Sequence, residues 1–255
     1  MNAQPLPPSE MPVVTPVGAR THWEVGGPPP TGALEVYAPA GVITYEPADM
    51  TITVAAGITM TRLQEVLATE GQFLPIDAPD PDRATLGGIY ATNTCGPRRF
   101  GWGRPRDMII GVSLVTADGK AIKGGGRVVK NVSGYDLNKL HLGALGTLGV
   151  IVEASFKLFP TPLYEETVRR PAGRFEEAWS EAERALGLKM PPVALELVHE
   201  DGGFNLAGRI AGSEDGVRRI LRELGWAKAP ASFWQEHARR TSDRWARLSV
   251  RRGSL

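Results

Sequence analysis

One cysteine, Cys95, stands among 255 residues. A lone thiol cannot form an intramolecular disulfide, and a cysteine zinc site is excluded. Within a glycine-rich loop, it reads as a small apolar filler rather than a reactive group. Charge excess is missing too. Lys and Arg number 29 against 28 Asp and Glu, a formal +1, so no global field points to nucleic acid or an anionic membrane. No stretch approaches the ~18 apolar residues that a membrane helix needs, so no direct membrane insertion is expected. The opening MNAQPLPPSEMP lacks a basic region followed by an apolar run, so it is not read as a signal peptide. A soluble protein of a reducing, cytoplasmic compartment is the expectation. The four histidines, His22, His141, His199 and His237, are far apart with no HExxH spacing, so no metal site is expected. There is no G-x-S-x-G elbow. A P-loop is excluded because Gly119-Lys120 is followed by Ala, and a dinucleotide fingerprint because GGGRVV from 124 fails the spacing and GALGTLG from 143 leads into a strand.

Glycine (30) and proline (21) are abundant, which points to many turns and close backbone approaches. Residues 1–12 read as a flexible lead-in. VVTPVGART (13–21) is a short strand broken at Pro16, and TITVAAG (51–57) is another strand. Thr59 then caps a helix with Met60, Leu63, Val66 and Leu67 on one face and Gly71 as its stop. Residues 108–124 form a hairpin around Asp118-Gly119. The mostly apolar run 148–159 predicts a central strand, and Pro160 and Pro162 mark a boundary. Beyond it, 163–226 reads β-α-β-β-α, most of a ferredoxin-like unit. Its first helix (175–187) places Phe175, Ala178, Trp179, Ala182 and Leu186 inward; its second is capped by Ser213, with Val217, Ile220, Leu221 and Leu224 inward. The Arg-rich tail from Ala227 reads as peripheral.

Three glycine-rich segments remain in the first 150 residues, besides the turn at 16–21: ATLGGIYATNTCGPRRFGWGRPRD (84–107), GGGRVVKNVSGYD (124–136) and LGALGTLGVI (142–151). Glycines with no helix behind them can still form a concave nest of backbone N–H groups that a pyrophosphate approaches closely. Thr85 and Thr92 would add hydroxyl donors. Any one such segment reads equally well as tight turns in a β-rich domain; three together favour an anion site. Arg98, Arg99, Arg104 and Arg106 fit either phosphate neutralisation and partner contact or a solvated loop with Arg106–Asp107 pairing. Tyr135 and Asp136 fit either the edge of a bound ligand or an interface.

The strings PVGART, DAPDPDRATLGGIYATNTCGPRRFGWGRPRDMIIGVSLVTADGKAI, GGGRVVKNVSGYDLNKL and GTLGVIVEASFKLFPTP resemble the vanillyl-alcohol-oxidase (PCMH-type) FAD-binding family. More narrowly, they are similar to the smaller FAD-binding subunits of bacterial glycolate oxidases. The resemblance spans about residues 13–250 and is densest at 75–160. It implies an α+β protein: an FAD-binding PCMH-type domain of two α+β subdomains (13–160) and a partial ferredoxin-like cap with the Arg-rich tail (161–255). It implies FAD, bound non-covalently. The turn Pro16, Val17, Gly18, Ala19, Arg20 and Thr21 would wrap the pyrophosphate, and Thr85, Leu86, Gly87 and Gly88 would meet the phosphates and ribityl chain. Ala91, Thr92 and Gly96 would lie near the flavin, with Gly149 and Ile151 on the adenine or isoalloxazine side, and Pro79 would be a further cofactor-binding residue. The implied partners are a catalytic flavoprotein subunit and an iron–sulfur subunit, which would place the chain at the inner membrane only peripherally. The metal-binding histidines of related 2-hydroxyacid dehydrogenases have no counterpart. A self-sufficient hydroxyacid dehydrogenase and a non-catalytic scaffold are the alternatives. The short lead-in and the end at Leu255 depart from the family pattern and lead to the expectation of a partial cap and an open flavin pocket.

Overall fold

The computed structural model describes residues 12–23, 25–126, 137–200, 202–230 and 232–242. The chain divides into two units. One is Met1–Cys95 with Arg104–Pro160; the other is Gly96–Gly103 with Thr161–Leu255.

In the first unit, β1 (Val14–Pro16) lies parallel to β2 (Leu34–Val36), while β3 (Ala40–Glu46) and β4 (Thr51–Ala56) pair antiparallel. After β4 comes α1 (Met60–Ala68), whose Thr59 cap accepts from the Arg62 amide at 3.3 Å. Met60, Leu63 and Leu67 are buried, as their spacing predicts. Each such side chain contributes ~1.5–3 kcal/mol of burial. β5 (Gln72–Phe73), α2 (Leu86–Thr92), the second unit's α3 (Arg99–Trp102) and α4 (Pro105–Met108) follow. The hairpin β6 (Ile109–Val115) and β7 (Ala121–Gly125) turns at Gly119, with φ of 77°. α5 (Leu137–His141), β8 (Val150–Lys157) and β9 (Phe159–Pro160) complete the unit.

The main sheet runs β3-β4-β8-β6-β7, all antiparallel, with β8 in the middle. That is the position its apolar run predicts. Ile151, Ala154 and Phe156 of β8 are buried with Ile52 and Val54 of β4 and Val112 and Leu114 of β6. The segment GGGRVVKNVSGYD falls outside the described residues from 127 onward, and with it Tyr135 and Asp136.

The second unit contains β10 (Tyr164–Ala172), α6 (Phe175–Leu186), β11 (Ala194–Glu200), β12 (Gly203–Gly212), α7 (Glu214–Leu224), β13 (Ala227–Lys228) and α8 (Phe233–Ser242). Sheet order β11-β12-β10-β13, with α6 and α7 as crossovers, is the split βαβ arrangement. The short β13 supplies its fourth strand. Ser213 accepts from the Gly216 amide, and Val217, Ile220 and Leu224 pack with Val168, Leu206 and Ile210.

Two expectations fail here. Phe175 and Trp179 are 45% and 39% exposed, and the buried stripe of α6 instead runs through Ala178 and Ala185, with Leu186 half-buried. Alanines let the helix sit close to the sheet and leave the aromatics at its flank. There, Phe175 stacks on Trp179 (5.9 Å) and meets Phe204 edge-on (5.8 Å). Nor is the described part of the segment from Ala227, up to Ser242, peripheral. Trp234 is buried with Ala194 and Ala207, and its Nε1 donates to Thr167 at 2.9 Å. Of the tail arginines, the side chains of Arg239 and Arg240 and the whole of Arg244, Arg247, Arg251 and Arg252 lie outside the described residues.

Candidate functional site

Within the first unit, three strips of backbone meet. The turn after β1 is fixed by the Val17 amide donating to Val36 carbonyl at 2.8 Å, and it bends with Arg20 at a positive φ of 58°. The second strip is the start of α2. Thr85 caps it, accepting from the Gly88 amide at 3.3 Å. The third is the 145–151 loop leading into β8. The Leu145 and Gly143 amides fasten it to the Ala91 and Tyr90 carbonyls at 2.9 and 3.1 Å.

These strips approach so closely that glycine is required where they cross. A Cβ on Gly146 would lie 2.8 Å from Pro16 Cγ, and one on Gly18 would overlap the Thr85 hydroxyl. Between the strips lies an open cleft of about 340 Å³, lined by Pro16, Gly18, Ala19, Arg20, Thr21, His22, Thr85, Gly88, Ala91, Thr92 and Gly146 among others. A narrower arm adds Val17, Val36, Ala56, Gly87, Gly149 and Ile151. Its walls are thus largely main chain and small side chains, which let a ligand come close to the backbone.

Of the sequence-predicted residues, Pro16 to Thr21, Thr85, Gly87, Gly88, Ala91, Thr92, Gly149 and Ile151 line this cleft. Leu86 does not; its side chain is buried and its amide donates to the Ile58 carbonyl at 2.9 Å, so it anchors α2 from behind. Pro79 and Gly96 line neither arm. The reading of 85–92 as glycines without a helix is overturned, because Leu86–Thr92 is helical and Gly87 and Gly88 form its first turn. Burial of Leu86, Ile89 and Tyr90, together with the Thr85 cap, outweighs the poor helix propensity of two glycines, ~1 kcal/mol each.

Electrostatics narrow the roles further. Arg20 lines the cleft but pairs with Glu35 at 2.5 Å and lies over the Trp23 ring at 5.1 Å. The Tyr37 hydroxyl also donates to Glu35 at 2.6 Å, and these hydrogen bonds, Tyr37 first and then Arg20, hold that carboxyl below its ordinary range. Much of the Arg20 charge is therefore met already within the protein. The predicted Thr92 donor is engaged too, giving its proton to the Gly88 carbonyl at 2.8 Å.

The remaining arginines separate. Arg98 pairs with Glu165 at 3.0 Å in the second unit. In the first unit, Arg104 approaches Asp107 at 3.8 Å while its amide donates to the same carboxylate at 2.9 Å. The expected Arg106–Asp107 pairing is thus replaced by an Arg104–Asp107 helix cap. No group of three potential metal ligands occurs among the described residues, and none of the described helices is long and apolar enough to cross a membrane.

Among the cleft residues that sequence reasoning missed is His22. It follows directly on the predicted turn, and burial lowers its pKa from the ordinary histidine value. Adjacency to that turn was the available signal.

Residues 10–125 match the family described as FAD binding domain. Over 213 residues the chain is 34% identical to glycolate oxidase subunit GlcE of Escherichia coli, covering 82% of this chain and 59% of that protein. It is 31% identical over 159 residues to glycolate oxidase subunit GlcD of Bacillus subtilis, covering 62% and 34%. With D-lactate dehydrogenase of Archaeoglobus fulgidus it shares 33% over 169 residues, covering 65% and 38%. The chain therefore spans between about a third and three fifths of the length of these relatives. A solved structure of alkyldihydroxyacetonephosphate synthase superposes with a TM-score of 0.71 at 20% identity, covering 90% of this chain and 50% of the other, which shows a shared fold.

Proposed function

Because residues 10–125 of this chain match the family described as FAD binding domain, we propose that it is the FAD-binding subunit of a multi-subunit oxidase of glycolate or a related 2-hydroxyacid. In this reading it holds FAD non-covalently and supports electron transfer beside a separate catalytic flavoprotein subunit and an iron–sulfur subunit. The family match supports FAD as the cofactor. One observation carries the assignment of the site: the glycine-built cleft that gathers 16–21, 85–92 and 145–151.

Each strip has its own task. The 16–21 turn and the Gly87 amide in the first turn of α2 would face the diphosphate, with the Thr85 hydroxyl proton free for a further bond. Gly149 and Ile151 would flank the cofactor along the narrower arm. Leu86 holds the second strip in place, and Pro79 and Gly96 would act on the cofactor only indirectly. When bound, FAD accepts and passes on reducing equivalents. The protein positions it and shields one side from water.

A visible spectrum tests the reading. The purified chain should acquire flavin absorbance on addition of FAD. Glycolate should bleach that absorbance only when the catalytic subunit is present. A chain that stays colourless with FAD refutes the assignment.

A further inference from the structure

One wall of the cleft carries a hydrogen-bond chain that cofactor binding as described above does not use. Thr92 Oγ1 lies 2.8 Å from the Gly88 carbonyl and 2.7 Å from Thr94 Oγ1. Thr94 Oγ1 lies 3.2 Å from His22 Nε2, and His22 Nδ1 lies 3.1 Å from Thr21 Oγ1. Counting protons orders this chain. A carbonyl only accepts, and each hydroxyl has a single proton to give. Thr92 therefore donates to Gly88 and Thr94 donates to Thr92. His22 donates from Nε2 to Thr94, which leaves Nδ1 of the neutral ring to accept from Thr21.

In the neutral ring the chain thus fixes the Nε2–H tautomer, with the bare Nδ1 beside the 16–21 turn. Burial favours the neutral form, since desolvation lowers the pKa of this ring. The charged and titratable groups on the surrounding strips are few. Arg20 is matched by Glu35, to which Tyr37 also donates. Arg83 gives one bond to Asp80 and another to the Ala19 carbonyl. Tyr90 is buried against the Asn138 carbonyl, and Cys95 is half-buried. Residues 25–30 and 145–147 bring only Val, Gly, Pro, Leu and Thr. Glu24 lies outside the described residues.

We infer that His22 is a positioning residue that couples binding of the cofactor diphosphate in this cleft to the uptake of one proton. The proton comes from solvent and adds to Nδ1 as the dianion docks, and the Thr21 hydroxyl rotates from donor to acceptor. The imidazolium then stabilises the anion, while Nε2 keeps its bond to Thr94 and the wall stays in place. This rests on the FAD reading of the cleft. It adds a side-chain charge that exists only in the complex.

The sign follows from linkage. If the complex binds one more proton than the free chain, affinity rises as pH falls, by up to about tenfold per pH unit between the free and bound histidine pKa values. FAD affinity measured by flavin fluorescence quenching across pH 5–8.5 reads this slope. Calorimetry in two buffers of different ionisation enthalpy counts the protons. ADP-ribose, whose diphosphate is a diester like that of FAD and does not titrate in this range, serves as a second probe without the flavin.

Wild type should show the slope and proton uptake with both probes. His22→Gln should bind with a flat profile and no uptake, and Glu24→Gln should keep the slope. A His22 ring resonance, assigned by its loss in the variant, should titrate to higher pH when FAD is added. Retention of the slope in His22→Gln, its loss in Glu24→Gln alone, or a flat wild-type profile would overturn the inference. Absence of FAD quenching in wild type at every pH is a separate result, and it sinks the FAD assignment itself.

Discussion

Gly18 and Thr85 are 67 positions apart, yet their energies should be tightly coupled. A Cβ on Gly18 would overlap Thr85 Oγ1, but would sit 3.4 Å from Thr85 Cβ and 3.5 Å from Thr85 Cγ2, ordinary contacts. Gly18→Ala must therefore turn the Thr85 hydroxyl away from the Gly88 amide it now caps at 3.3 Å. Losing an N-cap costs ~1 kcal/mol, and a forced rotamer costs ~0.5–1.5 kcal/mol. The φ of Gly18 is not in the left-handed region, so alanine regains ~0.4–1 kcal/mol from the unfolded state. The net loss is about 1–2 kcal/mol. Thr85→Ala alone removes the cap and costs ~1 kcal/mol. In the double variant the hydroxyl is already gone, so the added methyl has room and keeps its entropic gain. Its stability should fall below wild type by under about 1 kcal/mol, where additive changes predict ~2–3. Urea unfolding of the four chains, followed by fluorescence, measures the cycle. Additivity within ~0.5 kcal/mol would refute the claim that this hydroxyl is what excludes a side chain at Gly18.

At Gly149 the constraint is backbone. Its φ is +144°, and a Cβ there would lie 2.9 Å from the Val115 carbonyl oxygen. Gly149→Ala should cost about 2–4 kcal/mol and weaken FAD binding in parallel, read by thermal unfolding and flavin retention. The second unit offers a separate test: Trp226→Phe keeps the ring in the core but removes the Nε1–Glu181 bond of 2.8 Å. A loss of about 1–2 kcal/mol with unchanged FAD affinity is expected. Asp118, in the β6–β7 turn, is held at about 2 against an ordinary 3.8, first by Lys120 and then by Thr116. Its stabilising effect is full above the ordinary value and disappears as pH falls through the folded one. Asp118→Asn should therefore reduce proton uptake on acid unfolding between about pH 4 and 2, measured by titration of folded and urea-unfolded chains.

Local chemistry made the scaffold legible. The apolar run of β8, the Asp118-Gly119 turn and the caps Thr59 and Ser213 each act over a few residues, so spacing alone places them. The site was legible as strings, with most of the predicted residues lining one cleft. What could not be read is how the strings meet. Gly87 and Gly88 argue against a helix by propensity, and only the burial of Leu86, Ile89 and Tyr90 settles the matter. Phe175 and Trp179 have helical spacing that fits a core stripe, but the small side chains of Ala178 and Ala185 take that stripe because they let α6 approach the sheet. His22 finds Thr94 at 72 residues' separation, and no window of sequence contains both. The same logic explains the glycines. Pro16 and Gly146 are far apart in the chain, and the absent side chain at Gly146 makes sense only once its 2.8 Å approach to Pro16 is known. A glycine-rich string therefore signals that some backbone must come close. Which backbone, and whether the space left over admits a ligand, is decided by tertiary contact alone.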